Sequence, residues 1–214
     1  EIGTGDWSSD VCSSDLNAHL DSLLPLGAMD ISIAWAMPDC ANQQALSERM
    51  VKRCTELDAS FPIYESVFGF YAKTDNSYFN ARTMQDLAGA VICRPEGWLT
   101  FDLEQAGLTA PVVTLNQPKT VEACVAQIES GEADVVTLDV ETIAAAVADA
   151  GQQNTIQPNP YVSNVVAMRF VTHKTNPRGR VYLAMLNRGI AEMRESGEWY
   201  AIISDGLADF NNMN

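Results

Sequence analysis

Histidine and basic side chains are scarce in this sequence: two His and 13 Lys or Arg stand against 28 Asp or Glu in 214 residues, a formal charge of −15. A chain with a pI near 4.3 has no basic field to replace the counterions around phosphate, so nucleic acid is not an expected partner. No run of about 18 apolar residues occurs, so no segment is expected to cross a bilayer as a helix. The sequence holds no GxSxG elbow, no GxxxxGK[ST], no GxGxxG and no HExxH. His19 and His173 read as solvated polar residues, one on a helix surface and one at a strand end. Binding rather than catalysis is therefore the leading class, with no catalytic residue, cofactor or metal ion expected. What is abundant is apolar: 47% hydrophobic residues are too many for a disordered chain and enough for one large globular unit or two small lobes.

The first 16 residues stand apart. EIGTGDWSSDVCSSDL, Glu1 to Leu16, resembles one reading frame of a short-read sequencing adapter, with Asp6 to Leu16 matching its constant part. Residues 1–16 are expected to be an artefactual tail, which leaves the natural start of the protein missing and compartment unreadable from any leader. Without Glu1, Asp6, Asp10 and Asp15, 24 acidic residues face 13 basic ones, a charge of −11, and without Cys12 four cysteines remain. Those four, Cys40, Cys54, Cys93 and Cys124, form no CxxC pair, so a zinc site is not expected. Four buried thiols are one reading of them. The preferred one is two disulfides in an oxidising compartment, Cys40 with Cys54 and Cys93 with Cys124, the local pairings among three connectivities. If disulfides act by restricting the unfolded chain, closing a loop of about 15 residues stabilises by about 3 kcal/mol.

Helical and strand-like segments alternate along the rest. Apolar runs at Asp30 to Met37 and Ile63 to Ala72 read as strands, and Ala45 to Cys54 reads as a helix with Leu46, Met50 and Cys54 along one face. From Arg82 the order is regular: strands at Ala90 to Cys93, Val112 to Leu115 and Asp134 to Leu138, interleaved with helices at Thr100 to Ala106, Thr120 to Ser130 and Glu141 to Ala150. A strand at Val162 to Thr172 then leads to a helix from Pro177 to Glu195. This alternation predicts an α/β fold with a parallel sheet covered by helices.

Five segments in this order resemble a family. LPLGAMD (Leu24 to Asp30), ASFPIY (Ala59 to Tyr64), MQDLAG (Met84 to Gly89), IESGEAD (Ile128 to Asp134) followed by Asp139, and Leu186-Asn187 through Gly197 are similar to motifs of the type II periplasmic solute-binding proteins. The likeness is to family 3, the receptors that deliver polar amino acids to ABC importers. Pro38-Asp39-Cys40 and Cys93-Arg94-Pro95-Glu96-Gly97-Trp98 resemble a disulfide-bearing branch of that family. The resemblance implies a monomeric periplasmic receptor with two α/β lobes of parallel-rich sheets flanked by helices, whose cleft closes on its solute by hinge motion. Lobe 1 would comprise 17–69 and 172–214, discontinuous and incomplete because its first elements are missing; lobe 2 would comprise 70–171. The partners implied are a small polar solute, an amino acid above all, and the membrane permease.

An amino-acid zwitterion needs a cation for its carboxylate and an anion for its ammonium. Asp139 falls where the family places the anion, and it also suits the N-cap of the following helix. For the carboxylate the sequence departs from the family pattern: Asn42 stands at the position by direct counting, Arg49 fits if 40–46 is an insertion, and Arg94 is a further candidate. Trp35 and Trp98 would wall the ligand or pack in cores. Gly97 would open backbone amides to it, and Ser60 would donate a hydroxyl or shape a turn. An enzyme on the same fold, a dehydratase or murein transglycosylase using Glu96 or Glu141, is the alternative, as is the sensing domain of a membrane receptor.

Overall fold

The computed structural model describes residues 18–213; the expected tail, with Trp7 and Cys12, lies outside the described residues. The chain divides into two compact units. Unit 1 contains the described residues up to Met37, Lys52–Tyr64 and Met168–Leu207, and unit 2 contains Pro38–Val51, Glu65–Ala167 and the chain from Ala208.

Unit 2 holds the alternating part of the sequence. Its strands are β3 (Tyr64–Lys73), β4 (Val91–Cys93), β5 (Thr114–Asn116), β6 (Val135–Asp139) and the first part of β7 (Ile156–His173), ordered β7-β3-β6-β4-β5. β4, β5 and β6 are parallel, with Cys93 opposite Asn116 on one side and Val136 on the other. β3 joins β6 antiparallel, Phe68 facing Asp139. Among the parallel strands, α2 (Phe101–Gln105) leads into β5 and α3 (Val121–Ser130) leads into β6, the helical crossovers that parallel neighbours need. After β6 comes α4 (Val140–Asp149). Thr120 Oγ1 caps α3 by accepting from the Ala123 amide, and Cys124, Val125 and Ile128 form its buried face. An apolar core is centred on Phe70, Leu87, Ile92, Leu103 and Val135.

β7 begins at Ile156, six residues before the strand expected from the sequence, which starts beyond Pro158 and Pro160. Proline lacks a ladder donor, but in unit 2 β7 is the edge strand, and two prolines spaced by two leave their missing donors on one side.

Unit 1 is built on the end of β7. β1 (Ser32–Ala36) and β2 (Leu57–Ala59) both pair with it antiparallel, Ser32 opposite Val171 and Leu57 opposite His173. A register shift between Ser32 and Trp35 coincides with Ala34 at φ +65°. α1 (Glu48–Glu56) precedes β2. Before Pro25 the chain makes a single wide helical turn, His19–Leu23. α5 (Pro177–Ser196) starts on an Asn176 side chain that accepts from the amides of Arg178 and Gly179, with proline at its first position as expected. A further helix, α6 (Glu198–Met213), follows, which the sequence pattern does not announce.

α5 approaches the end of β7 so closely that only glycine fits at 179: a Cβ there would overlap Thr172 Oγ1 and stand 2.8 Å from the Asp30 carbonyl. Gly179→Ala is therefore expected to destabilise the protein by about 1–3 kcal/mol, read as a drop in melting temperature. Gly206→Ala in α6, where a Cβ meets nothing within 4 Å, is expected to be neutral or to stabilise by up to about 1 kcal/mol.

Candidate functional site

In a parallel α/β sheet the loops at the carboxyl ends of the strands are where helix N-termini and free backbone amides converge. In unit 2 the register puts the ends of β4, β5 and β6 side by side. This edge carries Arg94, Gly97 and Trp98 in the loop after β4 and Asp139 at the end of β6. Four of the seven residues proposed from sequence thus come to one edge of one unit.

Asp139, the last residue of β6 and still paired with Phe68, caps α4, its Oδ1 accepting from the Thr142 amide at 2.9 Å. The cap uses one carboxylate oxygen; Oδ2 has no part in it. The helix N-terminus favours negative charge at this point. Behind it lies Tyr71, nearly buried, whose hydroxyl donates to the Val140 carbonyl at 3.4 Å. Burial, then the carboxylates of Glu141 and Asp139, push the Tyr71 phenol above its ordinary value of 10.0.

Arg94 has a different environment from that expected of a ligand contact. It is wholly buried, and its five donors are all used: Nε donates to the Thr137 carbonyl (3.1 Å) and Nη2 to Thr137 Oγ1 (3.1 Å) and Asp102 Oδ2 (2.9 Å), while Nη1 donates to the Leu99 carbonyl and Asp102 Oδ1. The Phe68 ring covers the guanidinium, its centroid 5.3 Å from Cζ. This bidentate fork spans β4, β6 and α2.

The loop it encloses reaches solvent. Gly97 is exposed at φ +84°, a left-handed conformation that costs a side-chain-bearing residue more than glycine. Trp98 is 40% exposed, its amide donating to the Pro95 carbonyl at 3.3 Å. The Glu96 amide donates to the Pro118 carbonyl at 2.8 Å, joining the loops after β4 and β5. The disulfide between Cys93 and Cys124, Cα atoms 5.5 Å apart, fastens α3 to the end of β4. It is one of the two pairings expected; Cys40 and Cys54 are disulfide-bonded as well.

The other three proposed residues lie elsewhere. Arg49 is exposed on α1, in a segment tied to α2 by the Ser47 amide donating to Glu104 Oε2 at 2.9 Å. Trp35 and Ser60 belong to unit 1. Trp35 packs in its core with Leu20, Leu24 and Val171, its indole N–H donating to Ser32 Oγ at 2.7 Å and Arg53 lying over its ring. The Ser60 hydroxyl accepts from the Phe170 amide and donates to the Phe61 carbonyl, fastening the chain after β2 to β7. Sequence reading missed Thr137 and Asp102, because neither sits in a motif and both gain their role only from Arg94. Among the described residues no group of three or more His, Cys, Asp or Glu could hold a metal ion, and no helix is long and apolar enough to cross a membrane.

No protein-family model and no curated protein sequence matches the chain. Solved structures do. A mutant of ArgBP from T. maritima superposes on 90% of this chain and 75% of its own, at 16% identity and a TM-score of 0.58. An ancestral arginine-binding protein bound to arginine covers 89% and 76%, at 18% identity and 0.58. A histidine kinase sensor domain with similarity to periplasmic binding proteins covers 89% and 74%, at 15% identity and 0.60. These similar structures are mainly of binding proteins rather than enzymes. The chain has the mixed α/β fold of the type II periplasmic binding proteins.

The Tyr71 environment has a testable consequence. The folded state holds the phenol neutral, so its contribution to stability is full below the ordinary pKa of 10.0 and is lost as pH rises toward the higher folded value. Denaturation midpoints between pH 9 and 11 should fall less steeply for Tyr71→Phe than for the parent protein; equal slopes would show that Tyr71 is not held neutral.

Proposed function

We propose that this chain is an extracytoplasmic solute-binding receptor of an ABC importer and that it binds a small polar solute of the amino-acid class. The observation that carries the reading is Asp139: a carboxylate at the N-terminus of α4, at the carboxyl edge of the parallel strands, with Oδ2 left over from capping. An ammonium group is the natural partner of such an oxygen. The exposed Trp98 and the positive-φ Gly97 on the same edge supply an apolar wall and an approachable backbone. The likeness to proteins bound to arginine and to glutamine supports the solute class, and the disulfides support a place outside the cytoplasm. Arg49 is the cation proposed for the solute carboxylate, while Trp35 and Ser60 serve by shaping unit 1.

A second reading has its own support in the likeness to a histidine kinase sensor domain. It shares the binding step and differs in the output, kinase regulation instead of delivery to a permease. Stimulation of ATP hydrolysis by a reconstituted importer would separate the two.

Thermal melts of the protein with each of the twenty amino acids and a panel of other small polar solutes test the binding step. A true ligand at a hundredfold excess over its dissociation constant should stabilise by about 2.7 kcal/mol. Asp139→Asn keeps a good N-cap but removes the charge, so binding should weaken by about tenfold or more with the ligand-free melting temperature unchanged. Asp139→Ala should in addition cost about 1 kcal/mol of stability. No shift with any solute would overturn the proposal.

A further inference from the structure

The guanidinium of Arg94 touches three elements that the binding edge needs in register, and none of its donors is left for a solute. Nε and Nη2 grip Thr137, both backbone and side chain, two residues before Asp139 in β6. Nη1 reaches the carbonyl of Leu99, the residue after Trp98. Asp102 at the start of α2 neutralises the charge from the far side of the loop. We infer that Arg94 is a positioning residue: it locks the 95–100 loop, with Gly97 and Trp98, to the strand that presents Asp139, and it does not itself contact the solute. The inference rests on the receptor reading for its effect on affinity, whereas the locking of the loop stands on the geometry alone.

The physical case is one of satisfied valence. A buried guanidinium that gave up a donor to a ligand would leave an acceptor on Thr137, Leu99 or Asp102 unpaired, at a cost that a surface contact would not offset. A planar fork with five fixed donors also transmits position, because a shift of the Leu99 carbonyl relative to Thr137 breaks bonds at both ends. A lysine keeps the charge but offers no fork, so it would neutralise Asp102 without spanning both partners. The Glu96 and Trp98 amides, each bonded within or beside the loop, report whether it is held.

Arg94→Lys and the milder Thr137→Val, which removes only the Oγ1 acceptor, are compared with the parent protein by hydrogen exchange and by calorimetric titration with L-arginine, L-glutamine and L-glutamate. Exchange at 95–100 should accelerate by about tenfold or more in Arg94→Lys and by less in Thr137→Val. α3 and α4 should keep their protection, and affinity for whichever probe binds should fall by a comparable factor. Weakened affinity with exchange at 95–100 unchanged would mean direct contact of Arg94 with the solute and would overturn the inference. Faster exchange with unaltered affinity would overturn it too, since the loop would then be irrelevant to binding. Should Arg94→Lys fail to fold, Thr137→Val decides by the same two criteria. Should the parent bind none of the probes, the receptor reading suffers, and the exchange arm alone decides: acceleration supports the locking role and its absence refutes it.

Discussion

A charge without access to water must find every one of its hydrogen bonds inside the protein, and the rest of unit 2 is arranged around that demand at Arg94. Its fork takes acceptors from β6, from the loop after β4 and from α2. Removing one side of such a pair leaves a buried ion uncompensated, at a cost of about 3–5 kcal/mol, although a well-packed apolar replacement of both sides is often neutral. The pair is thus better understood as a device for geometry than as a source of stability. It makes the position of an exposed loop depend on a buried strand.

The same edge is held by two further constraints of different kinds. One is covalent: the Cys93–Cys124 bridge ties the end of β4 to the first turn of α3. The other is the capping of α4 by Asp139, which fixes that carboxylate by an amide only three residues on. Together they leave the edge with rigid backbone and one acidic oxygen that the cap does not use. A site that must recognise a small charged solute benefits from this, because ordering costs are already met before the ligand arrives.

Legibility in the sequence followed the distance of the partners. The cap at Asp139 answers to a residue three positions away, and the alternation of strands and helices from β4 to α4 answers to periodicities of a few residues. These were readable. The antiparallel placement of β3 was not, since strand direction depends on a neighbour some seventy residues away in the chain, as Phe68 facing Asp139 shows. The early start of β7 was hidden by Pro158 and Pro160, which signal an interruption unless the strand is known to lie at an edge. α6 escaped because Gly197 ends α5 at φ +82° and nothing before Glu198 announces a second helix.

Arg94 marks the boundary between the two kinds of information. Its residue type and its place after a strand made it a candidate for holding a carboxylate, and it does hold one, that of Asp102 in its own unit, while a further partner, Thr137, lies 43 residues on. Ser60 is a similar case, its hydroxyl accepting from an amide 110 residues away. The sequence by itself determined the α/β class, the alternation from β4 to α4, the cap at Asp139 and the local cystine, because local sterics and short loops dictate them. Only tertiary structure decided which polar groups are consumed internally and which remain for a solute, because that choice depends on which distant acceptors the packing brings within about 3 Å of each donor.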